Sequence, residues 1–143
     1  MDYVTREMIE GDRSYIVKTI LFGMIELDRA TRRINRDSFL TQHNKWLNKA
    51  INASNVIVIA DTEEKNLIYG FIIYQQSQGE FDIIHYAYMR KDFRELGILK
   101  NLVPVIKTRN NLCITSINNC IEPARLKSFY DKVIFDPYFL YNL

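Results

Sequence analysis

The stretch IIHYAYMRKDFRELGILKNLV, residues 83–103, decides how this chain is read. An alternating apolar run reaches Met89. A charged turn follows, Arg94-Glu95-Leu96-Gly97-Ile98-Leu99, and an amphipathic helix starts at Gly97. A strand that enters a helix through such a turn aims several backbone N–H groups at one point. With the positive end of the helix dipole they make an anion site. Arg90, Lys91, Arg94 and Lys100 surround it against only Asp92 and Glu95. The pattern predicts a pocket for a phosphate-bearing ligand.

Outward from there, the chain alternates strands and helices. A first strand is expected over about Asp2 to Met8. Asp12 then reads as an N-cap, with Ile16, Ile20, Met24 and Leu27 at helical spacing. Asp28 to Arg36 carries four arginines and reads as an exposed connection. A second helix from about Asp37 should bury Leu40, His43, Leu47 and Ala50 or Ile51. VIVIAD (56–61) and LIYGFIIYQQ (67–76), joined by a polar turn, predict a hairpin. Ser77 to Glu80 turn the chain into FDIIHYAYM (81–89). After Gly97, Ile98, Leu99, Leu102, Val103 and Ile106 form a stripe, and Pro104 predicts a kink or an early end. LCITSIN (112–118) is a further strand. A helix from Pro123 to Lys132 is expected next, and VIFDPYFLYNL closes the sequence as an extended segment.

This order predicts an α/β fold over residues 1–143 as a single domain. Its sheet is mixed and mostly antiparallel, with helices on both faces. Strands 81–89 and 112–118, joined by a crossover helix, should be parallel. With 143 residues the chain is long enough to bury about two-thirds of its unfolded surface. A net charge of +2 is too small to argue for nucleic acid. Cys113 and Cys120 lack a second pair to complete a zinc site, so no metal is expected and Cys113 reads as a buried free thiol. There is no N-terminal apolar leader and no 18-residue apolar run. The expectation is a soluble cytoplasmic protein that engages neither membrane nor nucleic acid.

Element order and turn together resemble the GNAT (general N-acetyltransferase) superfamily over nearly the whole chain. Its signature is Arg/Gln-x-x-Gly-x-Gly/Ala after a strand ending in a Val-like residue. Here Met89 takes the Val-like place, Arg94 and Gly97 match, and Leu99 replaces Gly or Ala. FYDKVIF (129–135) is similar to the family's Leu-Tyr-Glu-Lys-x-Gly-Phe, with Ile134 in place of Gly. IHYAYMRKDFRELGI, with DRSYIVKTIL, FLTQHNKWL and DPY, also looks like small phage and prophage proteins labelled N-acetyltransferase-like.

The resemblance implies acetyl-CoA as co-substrate and an amine as acceptor, attacked directly in a ternary complex. It places the pyrophosphate on the turn, Arg94, Glu95, Leu96, Gly97, Ile98 and Leu99, and the pantetheine along Tyr88 and Met89. The family's usual strand glutamate falls at Ile83, which cannot serve as a base. His85, two residues on, resembles the strand histidine of arylalkylamine acetyltransferases and is the candidate general base. Tyr130, in the tail motif, is the candidate acid for the leaving thiolate, with Tyr138 in reserve. His43 and Tyr86 are candidate acceptor contacts. Leu99, Pro104, Ile134 and the missing glutamate suit the alternative, a GNAT-shaped binding or assembly module without acyl transfer. The apolar tail FLYNL could support pairing into a homodimer.

Overall fold

The computed structural model describes residues 2–27, 33–76, 79–118, 120–121 and 123–138. Six strands make one sheet in sequential order: β1 (Tyr3–Glu7), β2 (Asn55–Asp61), β3 (Ile68–Gln75), β4 (Phe81–Met89), β5 (Asn111–Ile114) and β6 (Lys132–Phe135). Neighbours from β1 to β4 are antiparallel; β4–β5 and β5–β6 are parallel. Parallel neighbours need a crossover. These are α3 (Ile98–Ile106), between β4 and β5, and a segment holding the one-turn helix α4 (Pro123–Leu126), between β5 and β6. The expected parallel pairing of 81–89 with 112–118 is therefore present.

α1 (Arg13–Leu27) and α2 (Arg36–Ala53) cover the other face. Ile16, Val17, Ile20 and Leu21 of α1 are buried against Val58, Phe71 and Tyr86 of the sheet. Asn35 caps α2, its side-chain oxygen accepting the Ser38 N–H at 3.1 Å. On α2 the deepest positions are Phe39, Leu47, Ala50 and Ile51. Phe39 takes the place expected of Leu40, which packs at the rim of that cluster. Phe39 stands four residues before His43 and eight before Leu47, so helical spacing puts it on the same buried face.

Asp12 does more than cap a helix. A short 3₁₀ turn, Glu10–Asp12, precedes α1. The Asp12 carboxylate accepts the Ile9 N–H at 2.9 Å and both Arg6 guanidinium nitrogens at 2.7 and 3.0 Å. Burial, the largest influence, raises its pKa, but the Arg6 hydrogen bonds, the Ile9 N–H and the Arg6 charge together outweigh it and hold the carboxyl below its usual value. Arg6 also donates to the Lys65 carbonyl, tying β1 to the β2–β3 turn.

Two expected boundaries move, and a third falls where expected. β5 ends at Ile114 because the following Thr115, Ser116 and Asn118 turn their side chains onto β4. α4 ends at Leu126, not near Lys132: Lys132 already pairs with Asn111, and β-branched Val133 and Ile134 suit a strand. α3 closes at Ile106, two residues past Pro104, which is the early end its missing N–H predicts. Residues 28–32 of the arginine-rich connection and the tail 139–143 lie outside the described residues. Arg36 starts α2 with its guanidinium over the Phe22 ring.

Candidate active site

β4 carries one residue more than its partner. Ile73 faces Tyr86, yet Tyr74 faces Ile84, so His85 is the extra residue of a β-bulge. Side-chain alternation changes phase there. Ile84, Ala87 and Met89 pack on the α3 face, whereas Tyr86 packs on the α1–α2 face. Beyond Ile84, β5 has ended, and β4 runs on to Met89 paired with β3 on one edge and without a strand on the other.

Below that stretch, on the α3 face, lies a cavity of about 700 Å³. This is the size of a small-molecule or cofactor site. Its floor is apolar: Ile72, Ile84, Ala87 and Met89 of the sheet, Val103 of α3, and Ile121, Leu126 and Phe129. Its mouth is polar, with Arg94, Lys100 and Arg125 against Glu95. Gly97 sits at that mouth as the N-cap of α3, at φ 72°. This left-handed conformation favours glycine. No side chain caps the first turn of α3, so its N-terminal dipole is left to the cavity mouth.

Of the residues expected to hold a cofactor, Met89, Arg94, Glu95, Gly97 and Leu99 line this cavity. Arg94 is fixed by donating from Nε to the Met89 carbonyl at 2.8 Å, with its guanidinium over the Tyr88 ring. Leu96 is exposed and Ile98 is core, so they contribute to the turn through backbone alone. The Tyr88 side chain packs against Phe71 on the other face. Gly70 of β3 lies opposite Met89. A Cβ there would collide with the Tyr88 carbonyl and the Met89 sulfur, so glycine lets β3 close on the end of β4.

The two residues expected to do the chemistry are placed differently. His85 is 4% exposed and is not among the cavity-lining residues. Its Nε2 stands 3.1 Å from Gln75 Oε1, which makes Nε2–H the donor, and its Nδ1 accepts from the Thr115 hydroxyl at 3.0 Å. Burial lowers the imidazole pKa to about 4. Both ring nitrogens are thus used in pinning the bulge. Tyr130 is buried too, and its hydroxyl donates to Asp82 Oδ2 at 3.2 Å, at the opposite end of β4 from the turn. Burial first, and then Asp82, push its phenol well above the usual value. The structure does not bring Tyr130 to the cavity; the adjacent Phe129 lines it instead. Tyr138 is exposed.

Of the acceptor candidates, Tyr86 is buried on the α1–α2 face, where a Cβ added at Gly23 of α1 would stand 3.3 Å from its hydroxyl. Burial raises its pKa. His43 is half-buried on α2, its ring against Phe39 and Nδ1 3.2 Å from the Phe39 carbonyl. Neither His43 nor Tyr86 lines the cavity on the α3 face.

His85 has a measurable consequence for stability. A folded-state value near 4 against an unfolded value near 6.5 means the unfolded chain binds more protons between those pH values. Stability therefore falls as pH drops from about 6.5 to about 4, by on the order of 3 kcal/mol. Over that window the Tm of wild type should fall more steeply than that of His85→Asn. Parallel Tm profiles would refute the burial of a neutral ring.

Sequence reasoning missed the segment beside β4. The Ser116 hydroxyl donates to the His85 carbonyl at 2.6 Å, and Asn118 Nδ2 donates to the Ala87 carbonyl at 2.9 Å. The Met89 N–H donates to Cys120 Sγ at 3.3 Å. Residues 116, 118 and 120 thus serve residues 85, 87 and 89. The signal was a period of two in short polar side chains, continuing a strand rhythm after β5 ends. Arg125 and Ser128 also line the cavity without having been expected there.

No protein-family profile matches the sequence, and no curated protein matches it. Among solved structures, a possible acetyltransferase from Clostridium difficile 630 matches with a TM-score of 0.59 at 17% identity, over 91% of each chain. A predicted acetyltransferase from Clostridium acetobutylicum, solved with acetyl-CoA, matches at TM-score 0.54 and 16% identity over 89% of this chain and 88% of that one. At such identities the likeness establishes the fold. The chain has the fold of the GNAT acetyltransferases: a mixed six-stranded sheet, parallel from β4 to β6, with helices on both faces.

Among the described residues no helix is long and apolar enough to cross a membrane.

Proposed function

We propose that this protein is an N-acetyltransferase that takes acetyl-CoA in the cavity lined by α3, Ile121, Leu126 and Phe129. The acceptor is an amine. The observation that carries this reading is the bulged β4 running through the 90–97 turn into α3, above a cavity with an apolar floor and a cationic mouth. Acetyl-CoA has that distribution of chemistry: a charged pyrophosphate at one end and a lightly polar arm at the other. The C. acetobutylicum structure of the same fold, which holds acetyl-CoA, supports the choice.

In this reading the pyrophosphate rests on the N-terminal turn of α3, with Arg94, Lys100 and Arg125 balancing its charge. The arm follows Met89 and Tyr88 toward the bulge. The amine nitrogen attacks the thioester carbon; the C–N bond forms, the C–S bond breaks, and CoA leaves as the thiolate. The proton lost by the amine ends on that thiolate. His85 acts as a positioning residue that keeps the bulge in place, and Tyr130 belongs to the fold.

The test pairs calorimetry with acetyl-CoA and a thiol-release assay over a panel of primary amines. Saturable sub-millimolar binding and amine-dependent CoA release are expected. The rate should rise with pH as more of the amine is unprotonated, without an inflection near pH 6.5 from a histidine base. Binding without turnover of any amine would favour the alternative of a GNAT-shaped binding module. No binding at millimolar acetyl-CoA would overturn both.

A further inference from the structure

The polar side chains that follow β5 occupy the main-chain edge of β4 along which, in the reading above, the arm of an acyl-CoA runs. The three contacts are unequal. A carbonyl oxygen has two lone pairs, so Ala87 can accept from Asn118 and from a second donor together. The Met89 N–H has one hydrogen, so it serves either Cys120 or another acceptor. Its present partner is a thiol sulfur, a weak acceptor, at 3.3 Å. Asn118 sets the shape of the whole segment. While its Nδ2 holds Ala87, its Oδ1 accepts the Cys120 N–H at 2.8 Å and the Ile121 N–H at 3.0 Å.

We propose that Ser116, Asn118, Cys120 and Ile121 form a self-capping strap that competes with the acyl-CoA arm for the Met89 N–H, with Asn118 as its latch. The strap and the arm cannot hold that donor together. A weak sulfur contact keeps the donor satisfied yet yields to an amide or carbonyl oxygen, which binds it better. Opening then needs only the Asn118-held turn to move away from β4, leaving the β4–β5 pairing over Phe81–Ile84 intact. The proposal rests on acyl-CoA binding at this site.

Two measurements test it, one of them independent of any ligand. In the first, amide hydrogen exchange is followed by NMR on the full chain. Exchange at Met89 should quicken several-fold in Cys120→Ala and Asn118→Ala, while Ile83 and Ile84 are unchanged. Unaltered exchange at Met89 means that the strap does not hold this edge, and the proposal fails. The second is calorimetry with acetyl-CoA. Cys120→Ala and Asn118→Ala should bind several-fold tighter than wild type, because the competitor is weakened. Cys120→Ser, with its stronger oxygen acceptor, should bind more weakly. Equal or weaker binding by both alanine variants would make 118–120 part of the cofactor's own contacts and overturn the competition. If neither wild type nor any variant binds, the acyl-CoA reading itself falls, and competition falls with it.

Discussion

Gly97→Asp should abolish acetyl-CoA binding while the protein stays folded. Gly97 is at φ 72°, and a Cβ there would meet nothing within 4 Å. The steric cost is therefore conformational alone, about 1–2 kcal/mol for an L-residue in the left-handed region. The carboxylate adds a second cost by facing the pyrophosphate. Two unit charges 4 Å apart near a protein surface interact by about 4 kcal/mol, on the order of a thousandfold in affinity. Gly97→Ala separates the two: it carries the strain, present in free and bound protein alike, without the charge, so it should lower stability while binding within roughly a few-fold of wild type. Calorimetry at two ionic strengths reads both. An aspartate variant that binds as well as the alanine variant would remove the anion from the N-terminus of α3. Wild-type affinity should also fall with salt, since the charges at the cavity mouth are partly screened.

Asp82→Ala should destabilise the fold by about 3–5 kcal/mol and leave the cavity's chemistry untouched. The buried Asp82 carboxylate accepts from the Thr108 N–H at 2.7 Å, the Arg109 N–H at 3.0 Å, and the hydroxyls of Thr108 and Tyr130. Removing it leaves several of these donors without an acceptor, at about 1–3 kcal/mol for each buried group. Tyr130→Phe removes a single donor and should cost about 1 kcal/mol. Denaturant unfolding gives both values. The pair also decides the role of the tyrosine. A general acid typically contributes a hundred- to ten-thousand-fold in rate, so a structural Tyr130 predicts Tyr130→Phe turnover near wild type. A fall of a hundredfold in kcat at normal stability would return it to the chemistry. Lys107 over the Tyr130 ring belongs to the same corner.

Local pattern carried most of the architecture. The alternation in 81–89, the turn at 90–97 and the stripe after Gly97 were each readable because their signals lie within a few residues. Backbone period and dipole need no distant partner. The parallel pairing of β4 and β5 followed from the crossover between them. The basic turn was legible for the same reason: a glycine, a helix start and a cluster of basic residues are neighbours in the chain.

What stayed hidden depended on partners far away in sequence. The bulge at His85 is invisible in 81–89, because an extra residue exists only relative to β3. His85 reads as a free histidine until Gln75 and Thr115, 10 and 30 residues away, claim its two nitrogens. Tyr130 fits a tail motif by spacing, yet Asp82, 48 residues earlier, turns its hydroxyl away from the cavity. Ser116, Asn118 and Cys120 look like the end of a strand, and only the unpaired edge of β4 makes them its substitute partner. The amino-acid order alone determined where the chain extends, turns and coils, since those preferences are local. Which polar groups remain available for chemistry was decided only in the folded molecule, because buried donors and acceptors must find partners wherever the packing sets them.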